Sequence, residues 1–89
     1  MTLPTLSCAQ AIRDGGIHAV AALNAALAEA LVHAPETSHR EIKLAIGRAM
    51  NAVLDETVNQ AVRLYPELDP DDKTWGATVK ARAAALAAS

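Results

Sequence analysis

Apolar residues recur at helical spacing along most of this chain, and the breaks in that pattern predict its elements. From Ile17 to His33 one stripe holds Ile17, Val20, Leu27 and Leu31, with Leu23 beside it. Ala22, Ala26 and Ala30 line a second flank, and the polar strip is narrow: His18, Glu29 and His33. Such a helix is expected to be central, covered on two sides. Ala34-Pro35 stops it, because a residue before proline avoids the helical region.

A longer helix follows. Ser38 and Glu41 have the spacing of a capping box, and the pattern then runs to Leu64, about 26 residues or about 39 Å. Ile42, Ile46, Ala49, Met50, Val53, Thr57, Ala61 and Leu64 share one face; Glu41, Arg48, Asp55, Asn59 and Arg63 share the other. Leu54, Val58 and Tyr65 widen the apolar arc beyond what one neighbouring helix covers. Gly47 costs about 1 kcal/mol relative to alanine in mid-helix and marks a kink or a close crossing.

Two further helices complete the pattern. A short one over 8–14 has a Ser7/Gln10 capping box and ends at Gly15-Gly16, since glycine takes a left-handed C-cap at little cost. The last opens at Asp69-Pro70-Asp71-Asp72, carries Trp75, Val79, Ala83 and Leu86 on its apolar stripe, places Lys80 and Arg82 toward its negative end, and frays over 87–89. Strand signals are missing. The expected fold is all-α: one domain over 1–89, a small helical bundle of three main helices plus a short N-terminal helix.

Composition changes the energetics of that picture. Of the 46 hydrophobic residues 21 are alanine, and there is no Phe. Burying a large apolar side chain contributes about 1.5–3 kcal/mol and alanine much less, against about 1–2 kcal/mol per residue for ordering the backbone. The margin is thin for a small domain, and self-association, most simply a homodimer, is one way to widen it.

Net charge is −2 with a pI near 5.8, so no positive field is available to hold nucleic acid. A helix-turn-helix reader is also disfavoured, because the long helix mixes charge signs along its polar face. Residues 17–33 are apolar but include His18, Asn24, Glu29 and His33, which reads as a buried or interfacial helix rather than a membrane span. Met1-Thr2-Leu3-Pro4 does not read as a signal peptide, and the lone Cys8 fits a reducing cytoplasm. High alanine and a preference for Arg over Lys are associated with GC-rich bacterial genomes.

The candidate chemistry is sparse. His33, Glu36 and His39 surround Pro35, but a di-iron bundle needs two Glu-x-x-His motifs and further inward glutamates, and only one copy is present. Counting from Asp69, a calcium loop would need glycine at Thr74 and glutamate at Lys80. Cys8 lies near a helix start but has no local base. No nucleophile elbow, phosphate loop or dinucleotide fingerprint is present. No catalytic residue, cofactor or metal site is therefore expected.

Asn24 stands apart. Positions 17, 20, 24, 27 and 31 are spaced like a coiled-coil seam, with Asn24 its polar member: either a buried amide that fixes register, or an exposed one. Trp75 and Tyr65 flank the acidic turn, where they either close the end of the core or anchor an interface. The expectation is a non-catalytic protein-interaction or regulatory module that self-associates through helical surfaces, with Asn24, Leu27, Leu31, Leu54, Val58, Tyr65 and Trp75 as interface candidates and a further protein partner possible. The competing reading is a small-ligand or metal-binding helical bundle, using the His33–His39 turn or a void in the alanine-lined core.

Overall fold

A computed structural model describes residues 3–87, with side chains described as far as 81. The described residues are helical almost throughout. α1 spans Leu6–His33, α2 Glu36–Glu56, α3 Val58–Leu64 and α4 Asp72–Ala87, and a single 3₁₀ turn, Pro66–Leu68, joins α3 to α4. α1 and α2 form an antiparallel hairpin; α3 continues α2 in direction after a break, and α1 also packs on α3 and α4.

The all-α bundle is as expected, but the short N-terminal helix is not a separate element. Gly15 and Gly16 lie inside a continuous α1, and no glycine among the described residues has a positive φ. The expected start is also displaced. Thr5, not Ser7, caps α1: its hydroxyl accepts from the Cys8 N–H at 3.0 Å, and its carbonyl accepts from Ala9 N–H.

Ser38 caps nothing either. α2 begins two residues earlier, with Pro35 in extended geometry at the N-cap and its carbonyl accepting from Ser38 N–H at 2.9 Å. Glu36 supplies the negative charge that the first turn favours.

The expected long helix to Leu64 is broken at Thr57, which leaves helical geometry (φ −121°, ψ −79°). Both its N–H and its hydroxyl donate to the Val53 carbonyl. A threonine bonding back by one turn is a known cause of helix bending.

At the last helix Asp71 takes the capping role expected of Asp69. Its carboxylate accepts from Thr74 N–H at 2.7 Å and its carbonyl from Trp75 N–H. That bond from Thr74 holds the Asp71 carboxyl below the ordinary aspartate range. The expected places of Ala83 and Leu86 on the stripe and of Arg82 toward the negative end lie outside the described side chains; of the fraying expected over 87–89, Ala87 still belongs to α4 and 88–89 lie outside the described residues.

The core gathers at one end of the molecule. Leu3, Ala9, Ala61 and Leu68 form a buried cluster, with Cys8, Ile12 and Tyr65 packed against it, and Ile17, Val20 and Val58 are buried further along. Arg13 is buried too. Its Nη1 donates to the Leu68 carbonyl at 3.1 Å, and Nε and Nη2 reach Asp14 Oδ1 at 2.9 and 2.8 Å. The guanidinium thereby ties α1 to the 3₁₀ turn with its charge compensated. Tyr65 adds a second tie, its hydroxyl donating to the Leu3 carbonyl at 3.3 Å.

Gly16 sets how closely the two arms approach. A Cβ built there falls 2.8 Å from Thr57 Cβ and 3.1 Å from Val58 Cγ2. Only a residue without a side chain fits where α1 crosses the break between α2 and α3.

Candidate interaction surface

Away from that end, none of the described residues is fully buried. The buried residues of α1 stop at Val20, and α2, for all its 21 residues, has none. Among the less exposed positions, Gly16, Val20, Leu23, Leu27 and Ala30 of α1, with Ala34 at its C-cap, and His39, Ile42, Ile46, Ala49 and Val53 of α2 keep a regular spacing; Leu31, Met50 and Leu54 are half-buried beside them. Alternating steps of three and four are those of a two-helix seam.

This seam is rotated relative to the expected one. Gly16 faces Thr57 and Val58, Leu23 and Ala30 are half-buried, and Asn24 lies at an exposed position on the flank. Within the protomer Asn24 therefore does not act as a buried register amide.

Helical geometry then defines that flank. Ile17, Asn24 and Leu31 lie along one edge of α1 at intervals of seven. Because α2 runs antiparallel, the edge bearing Glu36, Lys43, Met50 and Leu54 lies on the same side. Ile17, beside the Gly16–Thr57 crossing, is completely buried; farther along, Leu31, Met50 and Leu54 are half-buried and Asn24, Lys43 and Glu36 are exposed. An added Cβ on Gly47 meets nothing within 4 Å. The result is a strip of half-buried apolar residues with one exposed amide and one exposed charge of each sign.

The other candidates are distributed as follows. Leu27 is half-buried in the seam itself. Val58 is buried beside Gly16, and Tyr65 is half-buried and bonded to Leu3, so both are engaged within the protomer. Trp75 is half-buried on the first turns of α4. Val32 and Leu44 are exposed, 80 % and 51 %, but on the outward sides of their helices; isolated exposed apolar residues of this kind are ordinary.

Around the Pro35 turn, His39 Nε2 lies 3.1 Å from the Ala34 carbonyl. A carbonyl only accepts, so this nitrogen carries the proton and His39 serves the end of α1. Among the described residues, no three His, Cys, Asp or Glu side chains form a group able to hold a metal ion. Cys8 is a free, half-buried thiol packed against the core.

α1 is long and apolar enough to cross a membrane by length and composition alone, and little of its apolar window is buried. No protein-family model matches this chain, nor does any curated protein or solved structure.

The residues that shape this surface were mostly missed in the sequence. Gly16 resembled a helix stop and Thr57 an apolar-face position, and the pattern assigned Arg13 no role. The one available signal was the Gly16 position itself, four residues before Val20 in the three-four spacing of the seam.

Proposed function

We propose that this chain is a non-catalytic protein-interaction or regulatory module that works by presenting its α1–α2 hairpin and self-associates through helical surfaces. The observation that carries this reading is α2: an amphipathic helix of 21 residues with no buried residue. A stripe of Ile, Met, Val and Leu side chains on a stable helix normally reaches a packed layer. Here α2 packs against α1 and α3, while α4 lies against α1.

The overall dimensions support it. A chain of 89 residues packed to ordinary compactness has a radius of gyration of about 12 Å. This protomer measures 14.7 Å, with extents of 46 × 30 × 22 Å. The elongation is that of a hairpin projecting from a small core.

A cytoplasmic setting belongs to the same proposal, supported by the free Cys8. Glu36 and Lys43 on the strip and Glu29 on α1 favour a protein-facing role for the hairpin over a lipid-facing one.

The test is a thermal-shift screen against divalent metals and small apolar ligands, paired with affinity capture at endogenous concentration. The proposal expects no stabilisation by the small molecules and stoichiometric recovery of a protein, either a second copy or a distinct chain. Stabilisation of several degrees by a metal or apolar ligand at modest concentration would transfer the assignment to a ligand-binding bundle.

A further inference from the structure

We infer that the strip of Asn24, Leu31, Lys43, Met50 and Leu54 is covered by the same strip of a second copy, the two hairpins pairing about a two-fold axis into a four-helix layer. The inference rests on the interaction-module reading and names its partner.

Surface area is the first argument. A compact monomer of 9.3 kDa exposes about 5,000 Å². This protomer exposes 5982 Å². The surplus, about 1,000 Å², is close to the roughly 800 Å² that each partner contributes to an interface of standard size.

Self-complementarity is the second. A two-fold interface brings a surface against itself, so a strip of one charge would repel its copy. This strip carries Glu36 and Lys43 on one edge of α2, seven residues apart, so each copy offers the other a charge of either sign. Asn24 has the same property, since an amide both donates and accepts and can be satisfied by another amide. A strongly charged partner would find no matching field here. A lipid surface would leave Asn24, Lys43 and Glu36 without partners in its apolar layer.

Continuity is the third. The edge that begins with fully buried Ile17 is the one that continues through exposed Asn24 and half-buried Leu31. Covering it extends the existing core along the same helix edge and completes the layer that α2 lacks.

The experiment is sedimentation equilibrium of the full chain across a concentration series, with two variants. Asn24→Arg places a long charge on the strip at a position already exposed, so the protomer fold is kept; Ala25→Arg makes the same change at another exposed position, about 100° around α1 from Asn24. The wild type is expected at twice 9.3 kDa. Asn24→Arg should weaken the dimer by about tenfold or more and Ala25→Arg by less than about twofold, with helical circular dichroism retained in both. A wild type that stays at monomer mass overturns the inference, as does equal weakening by both variants. So does a chain that sediments as a monomer but floats with phosphatidylcholine–phosphatidylglycerol vesicles. A monomer that captures a different protein, in a manner blocked by Asn24→Arg, overturns the second copy while leaving the interaction-module reading intact.

Discussion

The Gly16 backbone sits against the Thr57 side chain, so that a single methyl group on Gly16 would fall 2.8 Å from Thr57 Cβ. This contact joins the middle of α1 to the break between α2 and α3, and fixes which faces of the hairpin meet. It makes opposite predictions for the same substitution at different glycines. Gly16→Ala should destabilise by about 1–3 kcal/mol, because overpacking outweighs the better helix propensity of alanine. Gly47→Ala and Gly76→Ala, where an added Cβ meets nothing, should stabilise by about 0.5–1 kcal/mol each. Urea denaturation of the three variants checks the sign of each.

The contact also predicts coupling. Thr57→Ala removes the hydroxyl nearest to the new methyl but keeps Thr57 Cβ at 2.8 Å and Val58 Cγ2 at 3.1 Å. The double variant Gly16→Ala/Thr57→Ala should recover only part of the Gly16→Ala loss, an interaction of about 0.5 kcal/mol in a double-mutant cycle. Simple additivity of the two losses would show that the helices are held apart by something else.

Arg13 predicts an asymmetric pair. Arg13→Met keeps the apolar stem but leaves the Leu68 carbonyl without its donor, and should cost about 1–3 kcal/mol. Asp14→Asn weakens only the partly exposed side of the ion pair and should cost less than about 1 kcal/mol. Equal losses in thermal or chemical denaturation would mean that the ion pair, rather than the tie to the 3₁₀ turn, is what Arg13 provides.

The cap on α4 gives a pH dependence of defined sign. The Thr74 N–H favours ionised Asp71, so its folded pKa lies below its unfolded one. The stabilisation is complete above the ordinary aspartate range and disappears as pH falls through the depressed folded value. Asp71→Asn should be no less stable than wild type at strongly acid pH but less stable at neutral pH, read as helicity against temperature. A difference that persists undiminished in acid contradicts the cap.

Much of the architecture was legible in the sequence because it depends on periodicity and on proline. The three-four spacing of large apolar residues and the Ala34-Pro35 stop gave the hairpin and its turn. What was not legible depends on three-dimensional contact. Gly15-Gly16 carries the composition of a helix end, but both residues stay helical and Gly16 is there for clearance. Thr57 fits the apolar stripe, and its bond back to Val53 leaves no trace in the spacing. The position of Asn24 follows from these two, because the Gly16 crossing decides the rotation of α1. Ser7 and Ser38 match capping boxes by spacing, yet Thr5 and Pro35 come earlier and start the helices first.

The central claim is that the far half of the α1–α2 hairpin is covered by another molecule. Amide hydrogen exchange measured at low and high protein concentration tests it most directly. Residues 21–33 and 36–56 should become more protected as concentration rises, while amides of the Leu3–Ala9–Ala61–Leu68 end, buried in each protomer, change much less. Protection of the hairpin that does not change with concentration, at a level as high as that of the core end, would contradict the account and show that the protomer is sufficient alone.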